Sequence, residues 1–243
     1  MSTKQIALVT GANKGIGLET SRQLARAGFT VLMGSRDEAR GRQAAEPLRN
    51  EGLDARFIRL EITDTASISA AAETIGRDHG RLDVLVNNAG IAVEGWDARP
   101  STVSMEKVRE TFEVNFFGLI AVTQAMLPLL TKSAAGRIVN LTSILGSMSE
   151  HRDPNSPIHG MLCMAYNASK AAVNMFTVNL AHELRETKIK VNAAHPGWVK
   201  TDMGGEGAPL DVTQGAWTSV YLTMLPETGP TGGFFHKDVH MRW

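Results

Sequence analysis

Tyr166 and Lys170 stand four residues apart in Ala165-Tyr166-Asn167-Ala168-Ser169-Lys170, a spacing that puts both side chains on one face of a helix. An ammonium beside a phenol favours the phenolate and lowers the phenol pKa from its ordinary value near about 10. Tyr166 would then give and take protons close to neutral pH. By itself the pair is weak, because a packing tyrosine and a surface lysine also fall at this spacing. Ser143 closes the aliphatic run that begins at Arg137; its hydroxyl could hold a carbonyl oxygen, or only turn the chain. Asn115 sits within Phe112–Gly118, in a long amphipathic segment where an amide does not help a helix. It reads as a buried structural amide or as a water-holding relay residue.

A second kind of chemistry is written near the amino terminus. Gly11, Asn13, Lys14, Gly15, Ile16 and Gly17 lie between the aliphatic run Ile6–Thr10 and the helix-like stretch Leu18–Ala27. In that place glycines allow a tight turn and close backbone approach, so that the positive end of the helix can face a pyrophosphate. No Gly-Lys-Ser/Thr follows, so the loop is not that of a nucleotide triphosphatase. The second aliphatic run ends at Ser35-Arg36-Asp37, where a carboxylate would accept from a free ribose 2′-hydroxyl and a guanidinium would pair with a 2′-phosphate. Arg36 comes first, and Lys14 adds a second positive charge, so the pattern favours NADP(H) over NAD(H).

Groups so far apart in sequence must be gathered by the fold. Short aliphatic runs at Ile6–Thr10, Thr30–Gly34, Ala55–Ile62, Val84–Asn88, Arg137–Leu141 and Lys190–Ala194 alternate with longer stretches of helical spacing. Phe234-Phe235 reads as a last short strand before a polar tail. Repeated βα units with nearly continuous hydrophobic strands predict an α/β fold: a doubly wound Rossmann-type domain, with a parallel seven-stranded sheet and helices on both faces. No repeat or linker divides the chain, so residues 1–243 are taken as one domain. With 43% hydrophobic and 21% charged residues, such a chain buries roughly 70–75% of its unfolded surface. Lys plus Arg and Asp plus Glu each count 25, which gives no field for nucleic-acid binding. The lone Cys163 and an amino terminus without the apolar core of a secretion signal fit a reducing, cytoplasmic setting. The apolar stretch Phe116–Leu130 reads as too short for a membrane. His236 with His240, and His151 with His159, lack a carboxylate or Cys set, so no metal is expected.

Taken jointly, these motifs resemble the short-chain dehydrogenase/reductase family, and within it the NADPH-dependent carbonyl reductases. The likeness runs from the Thr10–Gly17 loop through Asn87-Asn88-Ala89-Gly90, Asn115, Ser143 and the Tyr166–Lys170 pair to the stretch from Pro196 to Met203. It implies that Tyr166 is the acid and base, that Ser143 orients the carbonyl, and that Lys170 binds the nicotinamide ribose and tunes Tyr166. Asn115 would keep a water in a proton relay. Asn88, Ala89 and Gly90 would line the adenosine side, and Pro196, Gly197, Val199 and Thr201 would cover the nicotinamide, whose hydride would leave the B-face. Ile144 and Trp198 would face a ketone or aldehyde, or the matching alcohol, and Trp198 would favour aromatic or bulky ones.

The chain departs from the family pattern twice. Where the family carries Asp beside adenine after the third strand, this sequence has Glu61 followed by Ile62. Ser143 and Tyr166 are 23 positions apart, longer than in compact members, and the added segment would shape the substrate mouth. The family also implies a homo-oligomer, dimer or tetramer, although the added segment would obstruct one common helix contact. An alcohol dehydrogenase working in the oxidative direction and a catalytically idle NADPH-binding scaffold stay open as alternatives.

Overall fold

Strands form where the chain runs aliphatic without a break, and helices where apolar residues return every three or four positions. The computed structural model describes residues 4–243; Met1 to Thr3, part of the amino-terminal stretch read above, lie outside the described residues. In order the elements are β1 (Ile6–Thr10), α1 (Gly15–Arg26), β2 (Thr30–Ser35), α2 (Glu38–Asn50), β3 (Ala55–Arg59), α3 (Thr65–His79), β4 (Val84–Asn87), α4 (Met105–Phe112), α5 (Leu119–Leu130), β5 (Arg137–Leu141), α6 (Met148–Arg152), α7 (Met164–Glu183), β6 (Lys190–His195), α8 (Val212–Thr223), β7 (Phe234–His236) and β8 (Val239–His240).

The strands form one sheet in the order β3-β2-β1-β4-β5-β6-β7-β8. Leu32, Leu8, Leu85, Ile138 and Val191 stand side by side across it, and pack on α3, α5 and α7. Their chain neighbours Val31, Val9, Val86 and Val139 point the other way onto α1, α2 and α8. Burial on both faces is why these strands read as continuous aliphatic runs rather than alternating ones. From β1 the chain winds outward to β3 and then crosses to β4, so the strand order reverses between β1 and β4. Carboxyl-terminal loops splay apart at such a reversal and leave a crevice for a ligand.

The sheet has eight strands where seven were expected. The extra one, β8, pairs antiparallel with β7 through a tight turn in which Lys237 takes a positive φ of 55°. The end of the chain is therefore not a loose polar tail: Trp243 stacks on Phe234 at 5.3 Å, and Arg242 pairs with Glu150 and Asp153, each at 3.0 Å.

The expected break at Asn115 is also different in kind. Helix continues from α4 to α5 through a π turn, Glu113–Gly118, so Met105–Leu130 is one run, by length and composition long and apolar enough to cross a membrane. The apolar stretch is thus longer than the sequence suggested, yet core helices pass the same test, and Val122, Met126 and Leu130 are buried beneath the sheet.

Gly146 marks the tightest approach between the segment after β5 and α7. A Cβ there would lie 2.7 Å from the carbonyl carbon of Lys170 and 2.9 Å from the nitrogen of Ala171, and a helix backbone gives way only by moving. Gly146→Ala is expected to cost about 1–3 kcal/mol, read as a lower midpoint in chemical denaturation, and to displace Lys170.

Candidate active site

Helix α7 carries both Tyr166 and Lys170 and is fastened to the sheet by buried polar contacts. Thr142, just past β5, donates to Asn174 Oδ1 at 2.7 Å, and Asn174 donates to the Gly146 carbonyl at 3.1 Å. Deeper down, Asn87 Nδ2 donates to Asn140 at 2.9 Å, and Asn140 donates to Thr177 at 2.9 Å. Buried hydrogen bonds of this kind are costly to break and so fix one register of helix on sheet. The result brings Ser143, Tyr166, Lys170 and Asn115, all buried, to the carboxyl ends of β4 and β5.

Asn115 occupies the π turn, and its amide is fully employed by the protein. Its Oδ1 accepts from Ile91 N at 2.8 Å, while Nδ2 donates to the Ile91 carbonyl at 2.9 Å and to Ser169 Oγ at 3.0 Å. The side chain ties the segment after β4 to α7. Ser143 opens a 3₁₀ turn, with its Oγ accepting from Leu145 N at 3.2 Å. Ile144 N–H donates to His195 Nδ1 at 3.3 Å, and burial pushes that histidine down to about 3, which keeps it neutral.

The expected acidification of Tyr166 by Lys170 does not occur in the protein's own field. Burial pushes the phenol up to about 12, with the Cys163 thiol adding to the rise and only the Ser143 hydroxyl acting against it. Burial likewise pushes the Lys170 ammonium down to about 8. The correction has a geometric cause. Lys170 Nζ donates to the Leu141 carbonyl at 2.8 Å and stands 5.6 Å from the Tyr166 ring centroid, over the ring rather than at its oxygen. Desolvation is the largest influence on both groups.

The glycine loop is welded to β4. Thr10 Oγ1 accepts from the backbones of Asn88 and Ala89 at 3.0 and 2.9 Å, and Asn88 Nδ2 donates to the Thr10 and Gly11 carbonyls at 2.8 and 3.2 Å. Gly11 takes a left-handed φ of 62°, and a Cβ on Gly17 would collide with Asn88 Nδ2 and lie 2.5 Å from the Gly11 carbonyl oxygen. Gly90 passes close under Lys170: a Cβ on it would come 3.5 Å from Nζ. At the start of α1, Lys14 offers no side-chain acceptor and the first turn contains no acidic residue, so its N–H donors face the crevice in a positive field. Thr201 stands opposite, its Cγ2 3.5 Å from where a Gly15 Cβ would be. Asn13 and Ile16 flank the turn, Val199 is buried, and Pro196–Gly197 leads from β6 into this covering loop.

Around Tyr166 the wall is apolar: Leu145, Ile158 and Cys163, with Ala92, Ile144, Met161 and Met203 packed against them. Part of this wall comes from the long segment between Ser143 and Tyr166. The indole on Tyr166 is Trp96, edge-on at 5.9 Å. Trp198, the indole singled out in the sequence, is 59% exposed and donates its N–H to the Gly204 carbonyl at 2.8 Å. Sequence reasoning missed Trp96 and Glu94, because neither belongs to a spaced motif, with a bulky Trp and an acid after the strand that ends in Asn87 as the only hints; it missed Ser169 because its place inside the Tyr166–Lys170 motif gives no sign of its contact with Asn115. His236 is taken by the His195 carbonyl at 3.0 Å, while His240 packs edge-on against Phe235.

A family model described as short chain dehydrogenase matches residues 5–209. The chain belongs to the short chain dehydrogenase family. It is 37% identical to carbonyl reductase (NADPH) 1 of Bos taurus over 280 aligned positions, covering 100% of this chain and 99% of that one. Identity with carbonyl reductase (NADPH) 3 of Mus musculus is 36%, with the same coverage. Among solved structures, NADPH-bound carbonyl reductase from chicken fatty liver superposes with a TM-score of 0.86 at 31% identity, covering 99% of each chain. Salutaridine reductase from Papaver somniferum gives 0.83 at 30% identity, covering 97% of this chain and 100% of that one.

In this short chain dehydrogenase the groups after β2 divide their labour. Asp37 caps α2, accepting from Arg40 N at 3.0 Å, so one carboxylate oxygen is already engaged by the helix. Arg36 reaches out, its side chain 77% exposed, with Glu61 4.0 Å away. Glu61 accepts from Thr63 Oγ1 at 3.1 Å, while Ile62 is buried, its carbonyl against Gly118. Lys14 pairs with Asp202 at 2.6 Å, an exposed contact of little net strength that a bound anion can replace. Gly17→Ala should weaken dinucleotide affinity by about tenfold or more, since the loop must open where it approaches the pyrophosphate, and fluorescence titration with NADPH reads the change directly.

Proposed function

We propose that this protein is an NADPH-dependent carbonyl reductase that reduces a ketone or aldehyde, with Tyr166 as the proton donor. The observation that carries the reading is the meeting of a buried Tyr166 phenol, the Ser143 hydroxyl and the Lys170 ammonium beside a glycine-lined cradle at the reversal of the sheet. Whole-chain likeness to proteins named carbonyl reductase (NADPH) supports it. The residues fit the cofactor: free donors at the start of α1, an outward Arg36 for a 2′-phosphate, and an Asp37 already used as a cap.

Bound NADPH supplies the hydride that the carbonyl carbon receives. The chain's own part is to hold the carbonyl oxygen and give it a proton. Ser143 and the Tyr166 hydroxyl would both donate to that oxygen, and their hydrogen bonds strengthen as negative charge builds on it, which is where transition-state stabilisation is gained. Lys170 spends one of its three N–H donors on Leu141, leaving two for the ribose hydroxyls. The apolar wall excludes water and suits a bulky, weakly polar carbonyl compound. A phenol held near 12 is protonated at neutral pH, as a proton donor to the carbonyl oxygen must be.

A panel of aromatic and aliphatic carbonyls assayed with NADPH and NADH tests the reading. NADPH should be preferred by at least about tenfold in kcat/KM, and Tyr166→Phe should lower kcat by about 10²–10⁴-fold while NADPH affinity stays within about twofold. Equal use of both cofactors, or near-normal turnover by the Phe variant, would sink it.

The pH profile follows from Lys170. Its native pKa near 8 lies below the ordinary lysine value, so the ammonium is present below pH 8 and lost as pH rises through it, while Tyr166 keeps its proton. Accordingly kcat/KM for NADPH, which reports the free enzyme, should be level near pH 6–7 and decline above about 8. Lys170→Arg, whose guanidinium does not titrate in this range, should remove that limb even if the overall rate is lower.

A further inference from the structure

Glu94 has no part in the chemistry above, yet it is one of the most constrained acids in the fold. It is only 8% exposed. Its Oε1 accepts the backbone N–H of Tyr166 at 2.6 Å across 72 positions of sequence, and its Oε2 is buried without a hydrogen-bond partner among the described residues. A carboxylate in that state is expensive to keep unless its charge is used.

The use is visible at the start of α7. Cys163, at the N-cap, contributes no side-chain acceptor, so the first-turn donors need one from elsewhere. Tyr166 is the third residue of the helix, the position whose N–H a local Ser or Asp cap would normally take. Glu94 supplies that acceptor from the segment after β4, and a negative charge there is favoured by the helix dipole. The same segment grips the turn at other points. Cys163 Sγ–H donates to the Trp96 carbonyl at 3.3 Å, Met164 N–H to the Ala98 carbonyl at 3.4 Å, and the Trp96 ring meets the Tyr166 ring edge-on.

We propose that Glu94 is a positioning residue for Tyr166: its carboxylate, brought from the segment after β4, caps α7 at the very N–H of the residue that carries the phenol and so fixes where the phenol oxygen stands. The proposal rests on the reading of Tyr166 as proton donor, and its test has an arm that needs no catalysis. The chain has two tyrosines, Tyr166 and Tyr221, and Tyr221 stacks on Trp217 within α8. Isotopic labelling of tyrosine nitrogen in a Tyr221→Phe background therefore leaves one amide signal, that of Tyr166.

With Glu94 present this signal should lie downfield and exchange slowly with solvent. Glu94→Met, which keeps bulk but removes the acceptor, should move it upfield and speed exchange by about tenfold or more. The same variant should lower kcat for carbonyl reduction by about 10–100-fold with NADPH affinity within about twofold. Glu94→Gln, which retains an acceptor oxygen, should restore both signal and kcat to within about threefold. If Glu94→Met does not fold, Glu94→Asp, which withdraws the acceptor by one methylene, is read in the same way. The proposal is overturned if the amide signal ignores these substitutions, if kcat is unchanged, or if kcat and NADPH affinity fall together without rescue by Gln. A signal that responds to Glu94 in a protein that reduces no carbonyl would instead uphold the cap and refute the proposed function.

Discussion

Desolvation of one phenol and one ammonium on a shared helix face is the constraint on which the site depends. Removing Tyr166 and Lys170 from water pushes the first up to about 12 and the second down to about 8, each toward its neutral form. In water a neighbouring cation would have made the phenol more acidic; here the loss of solvation is the larger effect. The outcome is a phenol that keeps its proton and a cation that stays charged at neutral pH by a narrow margin. A protonated phenol in that place can donate a hydrogen bond to an oxygen that is becoming negative.

A site tuned by burial needs its groups held still, because a small shift would readmit water. The polar lattice between β4, β5 and α7 does this from below, through Asn87, Asn140 and Thr177, and through Thr142 and Asn174. The π turn does it from the side: one additional residue in the helical turn aims Asn115 at both Ile91 and Ser169. Π turns often occur where a helix must present a side chain out of register. Above, Glu94, Trp96 and Ala98 clasp the first turn of α7. Helix α7 is thus held on three sides by segments that share no local sequence.

The segment between Ser143 and Tyr166 joins this arrangement to the end of the chain. Its short helix α6 carries Glu150, which with Asp153 pairs with Arg242, while Ser149 N donates to the Trp243 carbonyl at 3.0 Å. The carboxyl-terminal residues therefore brace the segment between Ser143 and Tyr166. The added β8 strand is what turns them back toward it.

Sequence alone determined the alternation of strands and helices, the glycine loop at the first βα turn, and the Ser143, Tyr166 and Lys170 set. These are encoded by local patterns: continuous aliphatic runs for doubly buried strands, glycines where backbone must approach closely, and one helical turn between two side chains. Even strand edges were legible to within a residue or two at β1, β5 and β6. Tertiary structure alone decided the rest. Whether Lys170 acidifies Tyr166 depends on burial and on the Leu141 carbonyl, neither of which a spacing reveals. That Asp37 is a helix cap, that Trp96 rather than Trp198 lies on Tyr166, and that Glu94 meets an N–H 72 positions away follow from long-range packing. Solvation and distant hydrogen bonds are properties of the assembled molecule, because they are set by which segments the sheet brings together and not by what precedes or follows a residue in the chain.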